Sequence, residues 1–149
     1  MNLSDVIRPN LDNIVVAAAA VVDAAGLPHY MSLDPQGVKL RLRELAEAML
    51  MSVETGEPVH FASHAQSIAH DRFLAGVHIE ELLTTFNALE TALWENVVKV
   101  APTEDVVADL GLIGSIIGAG KDQVASSYVE MATQRHTHGL DMSHLHEAL

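Results

Sequence analysis

The stretch IAHDRFLAGVHIEELLTTFNALETALWENVVK (Ile68–Lys99) decides the fold. It reads as the end of one helix, a break at Gly76, and a second helix with a strong apolar stripe. Ile79, Leu82, Leu83, Phe86, Leu89, Leu93, Trp94 and Val97 recur at spacings of three and four, the period of an amphipathic α-helix packed on a core. The only Trp and two of the three Phe fall here. The segment is therefore expected to supply the centre of the fold, with Leu82, Phe86 and Trp94 as core residues or as the wall of a ligand pocket.

Helix punctuation surrounds this centre on both sides. Upstream, Pro58 opens a helix to about Leu74, with Phe61, Ala65, Ile68 and Phe73 as its apolar residues. Before it, Asp34-Pro35 is a cap-plus-first-turn pair for a helix that runs to about Glu54, with Val38, Leu42, Leu45, Met49 and Val53 turned inward. Arg41, Arg43, Glu44 and Glu47 read as its solvated face. The first full helix spans about Pro9 to Ala25, preceded by a short turn capped by Ser4 and closed by Gly26 and Pro28. Its inner face is Leu11, Ile14, Val15, Ala18, Val21 and Val22.

Downstream, the central helix opens with Glu80 and Glu81, where the helix dipole favours acids. Glu80, Glu81, Glu90 and Glu95 are expected on its solvated face. Pro102-Thr103 restarts the chain, and a long helix follows to Gln134 or Arg135. Val106, Val107, Leu110, Ile113, Ile117, Val124, Tyr128 and Met131 form its inner face. Gly139 is expected to end it, leaving residues 136–149 as a flexible, His-rich tail. No alternating β-branched run suggests a strand. The expectation is one all-α domain over residues 1–149: a bundle of about five helices with a long C-terminal helix.

Composition narrows the function classes. The absence of Cys removes disulfides, thiol catalysis and cysteine-held metal. Twenty acids against eight bases give a net charge of −12. Such a field repels phosphate backbones and anionic lipid heads, which argues against nucleic acid and membrane as partners. The most apolar run, Ile14–Val22, is flanked by Asp12 and Asp23 and is far shorter than the ~20 residues a bilayer span needs. With no signal peptide at MNLSDVIRPN, a cytoplasmic protein is expected. Catalytic motifs are missing too: there is no phosphate loop, no G-x-S-x-G and no H-E-x-x-H. A non-enzyme is expected.

The residues DRFLAGVHIEELLTTFNALETALWE (Asp71–Glu95) resemble the helix–glycine–helix signature of the N-terminal domain of RsbT co-antagonist (RsbRD-type) proteins. Arg72, Gly76, Ile79, Glu81, Leu82, Leu83, Phe86 and Trp94 carry the resemblance, while His78 stands where the pattern has Ser or Thr. The resemblance implies a globin-like, haem-free sensor domain of stressosome-type stress-response regulators. Such a domain works as a homodimer beside STAS-type or kinase-type signalling partners. No STAS domain fits within the 149 residues, so the output step is expected outside this chain.

Two further features stand apart. Gly111, Gly114, Gly118 and Gly120 crowd the long helix, each costing up to ~1 kcal/mol relative to Ala. Gly111, Gly114 and Gly118 share one side, and with Tyr128 they mark a close homodimer crossing or, in the blander reading, tight packing within one subunit. The other feature is nine histidines. His60 and His64 lie four apart on one helix, and with Asp71 they form an alternative divalent-metal (zinc-like) site, weighed against a pair of ordinary helix-surface histidines. In the tail, His136, His138, His144 and His146 hold metal weakly at most. Haem bound through His64 or His78 is a further alternative, against which the 4% aromatic content counts. The leading expectation has no cofactor.

Overall fold

The computed structural model describes residues 2–100 and 105–148, with side chains described as far as residue 135. Among these residues there is no strand, and five helices of fifteen residues or more build an all-α bundle. In chain order the helices are α1 (Leu3–Ile7), α2 (Leu11–Ala25), α3 (Pro28–Met31), α4 (Pro35–Thr55), α5 (Val59–Leu74), α6 (Ile79–Val100) and α7 (Val106–Ala148). No helix is long and apolar enough to cross a membrane among the described residues.

Helix α6 is the central element, packed between α2 on one side and α7 on the other, while α4 and α5 pair beside it and α7 also lies along α5. The apolar stripe read from the sequence explains this. Leu82, Phe86, Leu89, Leu93 and Val97 are all buried, and Phe86 meets Phe61 of α5 with ring centroids 5.4 Å apart. Trp94 is the exception: it stands 42% exposed, and Leu93 takes the core position beside it. Val21 and Val107, read as inward, also face out, at 43% and 81% exposed.

Local rules place most boundaries. Asp34 accepts the Gly37 N–H at 2.6 Å and Pro35 follows it into α4. Gly26, Gly56 and Gly76 each take positive φ just past a helix. At Gly76 the turn is complete: Gly76 N–H donates to Phe73 O and Val77 N–H to Arg72 O, the paired bonds of a Schellman motif. The opening differs from expectation. Asn2, not Ser4, caps α1 through a reciprocal capping box with Asp5, and Pro9 sits in a 3₁₀ turn between α1 and α2. After Gly26, where the sequence suggests only the close of α2, Pro28 opens the single-turn helix α3.

Helix α5 has no capping side chain of its own, because Pro58 occupies the cap position. Its Phe61 N–H donates instead to the buried Ser52 hydroxyl of α4 at 2.9 Å. One side chain thus fixes the register of the α4–α5 hairpin. At the other end, helix α7 does not stop at Arg135 or Gly139 but runs on to Ala148. The expected cap at Thr103 and the side chains of His136, His138, His144 and His146 lie outside the described residues.

Candidate functional site

Two regions carry side chains that the core does not explain. The first is a polar cluster at the open end of the α4–α5 hairpin. Arg41 lies eleven residues before Ser52 on α4, and Arg72 eleven residues after Phe61 on α5. Eleven residues make about three full helical turns, so both arginines return to the face on which the hairpin is pinned, at the same height. Helices α3 and α6 close over this end. Arg41 Nη1 donates to His29 Nε2 at 2.7 Å, which requires the neutral imidazole with its proton on Nδ1. The Tyr30 N–H donates to Glu81 Oε1 at 3.0 Å, docking α3 on α6. Glu81 is 6% exposed, so it belongs to this cluster and not to a solvated face. Arg41, read as solvated, is half-buried as well.

Electrostatics tie the cluster together. Burial pushes His29 below the ordinary imidazole range, and the Arg41 and Arg72 charges push it the same way, with Glu81 opposing. His64 is lowered by burial and by Arg72, against Glu44. Arg41 is lowered by burial and by Arg72. The phenol of Tyr128 is raised by burial, with Arg72 opposing. Arg72 is the common member. Its Nε and the Nε2 of His64 are buried with no hydrogen-bond partner among the described residues.

The second region is the outer side of α7. Val107, Gly111, Gly114, Gly118, Ala125 and Val129 recur at spacings of three, four and seven, a seam beside the face that packs inward. A Cβ on Gly111 or Gly118 would meet no atom within 4 Å, and one on Gly114 only the Glu90 carboxylate at 3.9 Å. Intramolecular packing therefore accounts for none of these three. It does account for Gly120, whose Cβ would fall 2.3 Å from the Phe61 ring. Antiparallel pairing of α6 and α7 carries the seam towards the exposed Trp94 and Val98, one and two turns beyond Glu90.

Tyr128 is not on the seam: it is buried, donates its hydroxyl to Val77 O at 2.8 Å and packs edge-on against Phe73. Leu82 and Phe86 are core residues that line none of the cavities described, and Trp94 lines only a shallow groove with Glu95, Val98 and Lys99. A cavity of about 430 Å³ lies elsewhere, between α2, α3 and α4, walled by Val16, Ala19, Tyr30, Met31, Val38 and Lys39. His60 and His64 share a groove with Glu47 and Met51, to which His78 does not contribute. Asp71 does not join them, since seven residues of helix carry it about 10 Å beyond His64. No three His, Asp or Glu gather at a metal-binding distance among the described residues.

No family model, curated protein or solved structure matches this chain. The reading of its function therefore rests on the residues and their geometry.

Proposed function

We propose that this chain is a cytoplasmic, non-catalytic signalling module of the globin-like, RsbRD type that acts as a homodimer through α7. The observation that carries the reading is the outer seam of that helix. Three glycines cost helix stability and return no packing within the subunit. A second helix laid along Gly111, Gly114 and Gly118 would approach closely enough to recover that cost in backbone contact. Val107 and Val129, 81% and 66% exposed, would be covered at its two ends, with Trp94 and Val98 at the rim. The same helix runs inward against α5 and α6, so a change in the core shifts the dimer element directly. STAS-type or kinase-type proteins are the output partners this arrangement suits.

Light scattering across a concentration series tests the proposal. A dimer is expected, and Gly114→Leu should weaken it by at least tenfold while the helix content is kept. A parent chain that is monomeric throughout, or a variant that remains as dimeric as the parent, overturns the reading.

A further inference from the structure

The arginines at the open end of the α4–α5 hairpin carry an inference that is independent of the dimer. This protein has eight basic and twenty acidic residues. Carboxylates are plentiful, and the other described arginines are engaged. Arg8 pairs with Glu54, Arg43 with Asp12 and Glu47, and Arg135 lies over the Phe73 ring at 4.9 Å. Arg41 and Arg72 lie level on the paired helices, close enough for the Arg72 charge to act on Arg41, and have no carboxylate within 4.0 Å among the described residues. Two like charges held together, one of them with its Nε buried and unpartnered, are unfavourable unless something negative joins them. Glu44 acts on Arg41 only from beyond ion-pair distance, and the Oε1 of the buried Glu81 is taken by the Tyr30 N–H.

We propose that Arg41 and Arg72 form a binding site for a small oxyanion, a carboxylate or phosphate group, at the junction of α3, α4, α5 and α6. Each guanidinium offers planar paired N–H donors that match such a group. Arg41 is oriented by its bond to the neutral His29 ring. Arg41, Arg72 and His29 are half-buried, so the site is reachable from solvent yet partly withdrawn from screening. Because the protein as a whole repels anions, the site selects for ligands that fit between the two forks and not for polyanions.

The test uses calorimetric titration of the full chain with inorganic phosphate and, separately, with succinate, at constant ionic strength set by sodium chloride. Saturable binding of one equivalent is expected for at least one of them, and which one binds assigns the ligand class. Arg41→Gln and Arg72→Gln should each lower the affinity roughly tenfold or more, the value of a charge-assisted hydrogen bond. Melting in buffer free of phosphate and carboxylates establishes that these variants fold. Should either fail to fold, Glu81→Gln provides the opposite arm: it keeps an oxygen acceptor for the Tyr30 N–H, removes a negative charge, and should tighten binding severalfold. Absence of saturable binding by either anion, undiminished affinity in the folded arginine variants, or unchanged affinity in Glu81→Gln overturns the site. None of these outcomes depends on the oligomeric state.

Discussion

At the scale of single residues, four neighbouring glycines on one helix have different physical reasons. Gly120 is required by volume: an added methyl would lie 2.3 Å from Phe61 Cε2 and 3.1 Å from Phe86 Cε2, both rings fully buried. Gly120→Ala is expected to destabilise by about 1–3 kcal/mol, the cost of overpacking, despite its better helix propensity. Gly118→Ala meets open space in the subunit. It should raise the stability of the fold by up to ~1 kcal/mol. Urea unfolding of the two variants at low protein concentration checks this, and a stabilised Gly120→Ala would refute the packing account. Propensity identified the four as costly. Only the position of Phe61, contributed by a helix some sixty residues away, separates Gly120 from the rest. Trp94 lies at the exposed edge of the α6 stripe for a related reason: periodicity gives a stripe of about the right width and cannot decide which residue lies at its edge.

At the scale of elements, the α4–α5 hairpin depends on a side chain from one helix capping the next. Ser52 is buried, its hydroxyl accepts the Phe61 N–H at 2.9 Å, and Pro58 leaves the start of α5 without a cap of its own. Ser52→Ala should therefore cost about 1 kcal/mol, the range of a lost N-cap, and not the few tenths of an ordinary Ser→Ala change. The midpoint of chemical denaturation reads it out, and an unshifted midpoint would remove Ser52 from this role. Such a cap is invisible to a reading that looks for Ser, Thr, Asp or Asn directly before the helix. The cap of α4 was legible because Asp34 precedes it in sequence, whereas the cap of α5 comes from across a turn. The same bond sets the register that brings Arg41 level with Arg72.

At the scale of the whole molecule, the half-buried histidines couple protonation to folding. His29 faces Arg41, Arg72 and Glu81, and His64 faces Arg72 and Glu44. Both native pKa values lie below the ordinary 6.5. Between that value and the lowered native one, the unfolded chain binds more protons than the folded chain. Their contribution to stability is thus complete above about pH 6.5 and is lost as pH falls through the native values. Stability measured by urea midpoint should be lower at pH 5.5 than at pH 7.5, and His64→Gln should flatten part of that difference. Equal midpoints for the parent at the two pH values would count against the burial of these rings.

The sequence by itself determined the all-α class, the order of the five long helices, the approximate length of the first four, and the centrality of α6. These follow from local facts: the spacing of apolar residues, the glycines that take positive φ at helix ends, and prolines that cannot continue a helix. It also exposed the glycine-rich face of α7 as costly. Tertiary structure alone decided the rest. Glu81 and Arg41 look like solvated helix charges in one dimension, yet they become neighbours of His29, Arg72 and Tyr128 once α3 folds over the hairpin. His60, His64 and Asp71 share a helix face in sequence, but the rise along the axis keeps the carboxylate away. Periodicity reports which side of a helix is apolar. Which side chains meet depends on the height at which helices pass one another, and in this chain contacts such as Ser52 to Phe61 and Tyr128 to Val77 set that height.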